Sequence, residues 1–150
     1  MDHQALKTEI DNDPEGIGYV GKSNSEIVDL LNGSQYTQVL PITVSGLTIW
    51  AVGTQEIVDI YDGAQPTNTN KAIRAICMGA MHLFGKSNDE EIDLTDPDVA
   101  NMIDGLVAAG IVEQANKDAL IAMATAPAGR SEILFGQKVN INDVRTAMSL

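Results

Sequence analysis

The chain has 150 residues, with 21 acidic and 9 basic side chains, a net charge of −12 and a pI near 4.3. Its 44% hydrophobic and 20% charged residues are typical of one globular domain rather than of a disordered chain. No run of about 18 apolar residues is present, which excludes a membrane-spanning helix. The acidic balance argues against direct binding to nucleic acid, because phosphate contacts need Lys and Arg.

Two further sequence features bear on the cellular compartment in which the protein is expected. Cys77 is the single cysteine and lies in an apolar run, so it cannot form a disulfide within the chain. This is typical of a reducing compartment or of an unexported particle component. The first 14 residues contain no apolar stretch behind a basic start, and we therefore expect no secretory signal.

The first third of the chain contains two short predicted helices and one ambiguous segment. The helices span residues 3–11 and 25–32, and Gly33 ends the second. Residues 36–52 follow neither a strand period nor a helix period, so a strand and a buried helix both remain open. Pro41 argues against a central strand and Ser45 is a candidate helix cap, which favours an extended segment up to Val44 and then a helix.

The remaining helices have clearer boundaries. Residues 70–84 carry apolar side chains at steps of three and four, which predicts the central core helix. Asp96 followed by Pro97 is typical of a helix start, and this helix should run to residue 109. The other predicted helices span residues 54–61 (with Thr54 as cap and Gly63 at the end), 113–125, 131–135 and 142 onward, the last after an extended stretch at 139–141.

These elements predict a mainly α fold, a compact bundle of seven or eight short helices with one extended or β-like segment around residues 36–52. We expect a single domain, 1–150. Within it, residues 1–35 form an N-terminal, hairpin-like helical part and residues 45–150 form the main helical part.

Residues 16–23, GIGYVGKS, match the phosphate-loop pattern GxxxxGK[ST] through Gly16, Gly21, Lys22 and Ser23. A phosphate loop needs a buried strand before it and a helix after it, so that backbone amides converge on the phosphates. Here a helix end with four acids precedes the match, and these carboxylates would repel a triphosphate. The pattern is therefore interpreted as a turn that leads into a capped helix, and no cofactor, catalytic residue or metal is predicted.

Other chemistry-bearing side chains fit structural roles. Cys77 and His82 are five residues apart on one predicted helix and point to different faces, which indicates a buried cysteine and a surface histidine. The acids of residues 89–98 lack the ligand order and glycine of an EF-hand calcium loop and are interpreted as a solvated or docking face. The candidates for contact with a partner protein are Tyr19, Trp50, Asp89, Glu90, Glu91 and Asp93.

Two segments resemble a family of small proteins from tailed-bacteriophage genomes. The opening LKTEIDNDPEGIGYVGKSNSEIVDLLN is similar to the family start, which has a helix, a DP turn, a G-Y-x-G-[KM]-[ST] turn and a helix ending in L-N. Residues 92–148 are similar to its closing pattern of two helices, a small-residue turn before R-[SA]-E, and a V-x-x-x-D-V-x-x-A end. The resemblance covers about two thirds of the chain and is weakest over residues 35–69.

The resemblance implies a virion structural protein and supplies no catalytic residue. We therefore expect a non-enzymatic component that docks on other phage structural proteins at the neck, tail or tail-fibre attachment region. It should be made in the host cytoplasm, reside in the virion and occur as a homo-oligomer or in several copies of a symmetric assembly. The alternatives are a phage-encoded acidic inhibitor that mimics DNA and, on residues 16–23 alone, a nucleotide-binding enzyme.

Overall fold

A computed structural model describes all residues, 1–150, and contains nine helices and four short strands. Helices account for 59% of the residues, which confirms the predicted mainly α class. None of them combines the length and apolar character needed to cross a membrane. The helices are α1 (His3–Asn12), α2 (Asn24–Asn32), α3 (Val44–Gly53), α4 (Glu56–Ala64), α5 (Lys71–Phe84), α6 (Pro97–Ala108), α7 (Gln114–Ala124), α8 (Arg130–Phe135) and α9 (Ile141–Met148).

The chain divides into two units, and one of them is discontinuous in sequence. The terminal unit combines Met1–Gln38 with Ala126–Leu150, and the inserted unit is Val39–Thr125. This division differs from the expected parts 1–35 and 45–150, because α8 and α9 pack with the two N-terminal helices. Local sequence patterns show where a helix lies but not which other helix covers its apolar face.

The terminal unit is built from α1, α2, α8 and α9. Helix α9 packs against α1 and α2, and α8 packs against α2. The side chain of Asn32, at the end of α2, accepts hydrogen bonds from the Ser131 hydroxyl (2.7 Å) and the Val139 amide (3.0 Å) and donates one to the Val139 carbonyl (2.8 Å). The buried apolar side chains of this unit are Leu6, Ile10, Tyr19, Ile27, Leu31, Val139, Val144 and Ala147.

The inserted unit centres on α5, which packs against α3, α4 and α6. As predicted for residues 70–84, α5 begins after Asn70, whose side chain caps the first turn, and ends at Phe84. Helix α6 begins at Pro97 behind the Asp96 cap, as expected. Two short strands, β2 (Ile42–Thr43) and β3 (Glu91–Ile92), pair antiparallel beside these helices.

The ambiguous segment 36–52 is extended and then helical, as favoured from the sequence. Strand β1 (Tyr36–Val39) pairs with β4 (Thr125–Ala128), and α3 follows β2 directly at Val44. The cap of α3 is Thr43 rather than Ser45. The Thr43 hydroxyl accepts a hydrogen bond from the Gly46 amide at 3.1 Å, because the extended backbone at Thr43 turns that oxygen toward the first turn.

The observed helix α4 differs from two predictions made from the sequence. It begins at Glu56 rather than after Thr54, because Gln55 adopts a left-handed conformation (φ 66°) that separates α3 from α4. Gly63, expected to end the helix, lies buried inside it. A Cβ atom added at Gly63 would lie 2.5 Å from the Cys77 sulfur, so glycine is needed for the close approach of α4 to α5.

Gly63→Ala should destabilise the protein by about 1–3 kcal/mol, because the new methyl overpacks against Cys77. Urea denaturation gives the free energy of unfolding. Gly53→Ala is the matched control, since a Cβ at Gly53 meets nothing within 4 Å. Cys77→Ala in the Gly63→Ala background should recover part of the loss, because it removes the clashing sulfur. Equal stability of Gly63→Ala and Gly53→Ala would contradict the close packing of Gly63 against Cys77.

Candidate interaction surfaces

The segment that matches a phosphate loop uses its backbone amides internally. The Asp13 carboxylate accepts hydrogen bonds from the amides of Ile17 and Gly18, both at 2.7 Å. Gly16, Gly18 and Gly21 all have positive φ, which glycine adopts without steric cost. Two amides at the start of the segment therefore already bind a carboxylate of the same chain.

The end of this segment caps α2. The Ser23 hydroxyl accepts from the Glu26 amide (3.4 Å) and the Glu26 carboxylate accepts from the Ser23 amide (2.8 Å), which is a capping box. The Ser23 amide hydrogen bond lowers the pKa of Glu26. The Lys22 ammonium lies 3.6 Å from the same carboxylate. Since α1 rather than a strand precedes the segment, its geometry is the capped turn expected from the sequence.

Tyr19 was a candidate for partner contact, and its position corrects that prediction. Its side chain is 2% exposed and belongs to the core of the terminal unit, where its hydroxyl lies 3.5 Å from the Glu9 carboxylate. Burial, reinforced by the negative charge of Glu9, raises the pKa of Tyr19. The turn at Gly18 directs the ring inward, and a buried ring offers no surface to a partner.

A buried ion pair lies beside Tyr19. The Arg130 guanidinium donates from Nε to Glu9 Oε1 (2.9 Å) and from Nη2 to Glu9 Oε2 (3.2 Å), a bidentate arrangement. Glu15 lies 3.5 Å from the same guanidinium, which also stands 6.0 Å from the centre of the Tyr36 ring. The hydrogen bond with Glu9 raises the pKa of Arg130. The pair joins α1 to α8.

The sequence interpretation missed this pair, although two signals pointed to it. Glu9 sits between Leu6 and Ile10 on the buried side of α1, where an unpaired carboxylate would be costly. Arg130 opens the R-[SA]-E motif, and all three motif residues have structural roles. Ser131 bonds to Asn32, and the Glu132 carboxylate accepts from the Gly129 amide at 2.9 Å.

Trp50 also differs from its predicted role at a docking surface. It is 9% exposed, and its indole N–H donates to the Asn116 carbonyl at 2.9 Å, within the inserted unit. Nearby, the buried Glu56 carboxylate accepts from the Glu113 amide (3.0 Å) and the Asn116 side chain (2.7 Å) at the start of α7. Trp50 is therefore core, because α3 turns this face toward α7 and away from solvent.

In the acidic segment, Asp89–Asp98, every acidic side chain is exposed, and two apolar side chains between the acids are buried. Ile92 and Leu94 are each 3% exposed, and Ile92 lies in β3 opposite Ile42. Alternation along the extended backbone therefore holds the neighbouring acids toward solvent. The exposed acids of the segment are Asp89, Glu90, Glu91, Asp93, Asp96 and Asp98.

Some of these acids already have a hydrogen-bond or ion-pair partner within the protein, and others do not. Glu90 pairs with Lys86 at 2.6 Å, and Asp96 caps α6. Asp93 accepts from the hydroxyl and amide of Thr95, and these hydrogen bonds lower its pKa. Three acids, Asp89, Glu91 and Asp98, form no side-chain hydrogen bond or ion pair. The segment therefore stays the predicted contact face, with three carboxylates free for a partner.

The remaining candidate sites are Cys77, His82 and a small core cavity, all in the inserted unit. Cys77 is buried, which raises the pKa of its thiol, whereas His82 is exposed on the same helix. No group of three or more His, Cys, Asp or Glu side chains is arranged to hold a metal ion. The core of the inserted unit contains a cavity of about 20 Å³ lined by apolar side chains, with room for about one water molecule.

Comparisons with protein-family models, with curated proteins and with solved structures found no match to this chain.

Arg130→Met should lower the free energy of unfolding by about 3–5 kcal/mol, because it leaves the Glu9 carboxylate buried without its cation. Urea denaturation measures the change. Arg145→Met is the control, since Arg145 is exposed in the last turn of α9 and should cost less than about 1 kcal/mol. The double variant Glu9→Gln/Arg130→Met should recover much of the loss. A cost for Arg130→Met as small as that for Arg145→Met would show that the pair contributes little.

The raised pKa of Tyr19 predicts a loss of stability at alkaline pH. The folded state holds the phenol proton more tightly than the unfolded state, whose tyrosine pKa is about 10. The contribution is therefore complete below about pH 10 and is lost as pH rises toward the folded pKa. Between pH 8 and 11, Tyr19→Phe should reduce the alkaline loss of thermal stability, whereas Tyr61→Phe, at an exposed ring, should leave it as in the parent protein. Identical pH profiles for the two variants would refute the assignment.

Proposed function

We propose that the chain is a non-enzymatic structural component of a tailed-phage virion, docking on other virion proteins at the neck, tail or tail-fibre attachment region. The virion setting is supported by the resemblance of residues 6–32 and 92–148 to the phage family. The docking role is supported by one structural observation, the anchored acidic segment Asp89–Asp98. Residues that carry the resemblance, Asn32, Arg130 and Ser131 among them, serve the packing of the terminal unit, as suits a structural protein.

The acidic segment has the properties of a contact face. Its backbone is held by β-pairing and by two buried side chains, so little conformational entropy is lost when a partner binds. The free carboxylates would steer a basic surface toward it and set the register of the complex. The proposed partners are therefore basic regions of other phage structural proteins, with several copies of the chain arranged in a symmetric assembly.

Mass spectrometry of gradient-purified particles of the encoding phage should detect the chain at a constant ratio to a structural protein of known copy number. Asp89→Asn/Glu91→Gln should lower its incorporation, because it removes two free charges of the acidic segment. Asp11→Asn/Asp29→Asn is the control, since both residues are exposed in the terminal unit. Absence from particles, despite presence in infected cells, would refute the virion assignment.

That outcome would favour the second candidate, an acidic inhibitor that mimics DNA. The observation in its favour is the charge of the inserted unit, which has twelve acidic and four basic side chains. A mimic acts on a host DNA-binding protein in the cytoplasm and needs no place in the particle. Co-purification with such a protein, lost in competition with duplex DNA, would identify it.

A further inference from the structure

Helices α3 and α4 of the inserted unit expose large apolar side chains that its core does not use. On α3, Ile49 and Val52 are 68% and 58% exposed. On α4, Val58 and Tyr61 are 56% and 54% exposed. The members of each pair are three residues apart and therefore lie on the same face of their helix.

Helix α3 is unusual because it contains no charged residue. Its inner face is buried through Val44, Leu47, Trp50 and Ala51, and its outer face is also apolar at Ile49 and Val52. Beside the exposed Ser45, the outer face thus carries two large apolar side chains, which a helix normally directs toward a core or a partner. In this chain the outer face of α3 is exposed to solvent. Exposed apolar surface of this kind is typical of a face that binds a partner protein.

Helix α4 packs against α3 and adds charge beside its exposed apolar pair. Asp59 and Asp62 are both exposed on α4, next in sequence to Val58 and Tyr61. Neither carboxylate forms an ion pair or accepts a side-chain hydrogen bond. The outer face of α4 therefore combines an apolar ridge with two free negative charges.

We infer that the outer faces of α3 and α4 bind a protein segment that carries Lys or Arg beside apolar side chains. This inference rests on the proposed docking function and names a second surface for it and the chemistry of its partner. Apolar side chains of the segment cover Ile49, Val52, Val58 and Tyr61, as in the core of a protein interface, and its cations meet Asp59 and Asp62 at the rim. The Tyr61 ring also offers a face to a cation.

The charge of this surface favours a basic protein segment over a second copy of the chain, an anionic lipid surface or a nucleic acid. A second copy of the chain placed face to face would bring the Asp59 and Asp62 carboxylates of both copies into one interface with no cation of that face beside them, within a protein of net charge −12. An anionic lipid surface or a nucleic acid would meet the same repulsion. A basic, apolar segment is attracted by the charges and covers the exposed hydrocarbon.

The probe is a synthetic amphipathic peptide with Leu on one face and Arg and Lys beside it, compared with a counterpart that has Gln at every basic position. Fluorescence anisotropy with the full chain at physiological salt should show the basic peptide binding at least about tenfold more tightly. Val58→Ser/Tyr61→Ser and Ile49→Ser/Val52→Ser should each weaken binding about tenfold or more. Asp59→Asn/Asp62→Asn should weaken it several-fold, mainly by slower association.

Two control variants locate the site. Val20→Ser removes an apolar side chain that is 86% exposed in the terminal unit, and Asp11→Asn/Asp29→Asn removes two exposed charges of the same unit. Both should bind the basic peptide as the parent does. All substituted side chains are exposed, so unchanged thermal unfolding should accompany every variant.

Three results would overturn the inference. They are equal binding of the Gln peptide, loss of binding only in Asp89→Asn/Glu91→Gln, and a concentration-dependent dimer in sedimentation that Val58→Ser/Tyr61→Ser abolishes. The last result would identify a second copy as the occupant. Particle mass spectrometry tests the virion assignment separately, so failure of the peptide experiment and failure of that assignment can be told apart.

Discussion

The ion pair between Glu9 and Arg130 joins residues 121 positions apart and ties the first helix of the chain to the eighth. Burying two charges is costly, and the cost is offset only when the geometry is good and the remaining hydrogen-bonding groups are satisfied. Here the contact is bidentate, and no buried side-chain nitrogen or oxygen of the protein lacks a partner. The terminal unit therefore forms only when its two segments, Met1–Gln38 and Ala126–Leu150, come together.

A second polar contact, made by Asn32, also joins the two segments of the terminal unit. Asn32 ends α2 and binds Ser131 and Val139 through three hydrogen bonds, two of them to the backbone of the C-terminal segment. At Gly129 a Cβ atom would lie 2.7 Å from the Leu31 carbonyl, so the two segments approach more closely than any larger residue allows. Apolar packing of this unit tolerates exchange of similar side chains, whereas these contacts specify one pairing of the two segments.

The parts of the fold that follow from local chemistry were predictable. The side-chain caps at Asn70 and Asp96 set the starts of α5 and α6, because a cap acts within three residues of itself. What depends on distant residues was not predictable. The inward direction of Tyr19 and Trp50, the buried position of Gly63 and the partner of Glu9 each depend on a helix elsewhere in the sequence. Exposure at the centre of the acidic segment was predictable because Glu91 and Asp93 alternate with the apolar anchors Ile92 and Leu94.

Charge alone does not identify a contact surface, because much of it is used within the protein. The acids near the N-terminus bind their own chain: Asp2 caps α1, Glu9 and Glu15 meet Arg130, Asp11 pairs with Lys7 and Asp13 holds the following loop. In the inserted unit six exposed acids have no such partner, namely Asp59, Asp62, Asp89, Glu91, Asp98 and Glu113. An internally paired carboxylate must share or give up its partner when it binds another, whereas these six carboxylates need only lose water. Apart from Asp29 on α2, the unpaired acidic charge therefore belongs to the inserted unit, chiefly on the acidic segment and beside the exposed apolar side chains of α4.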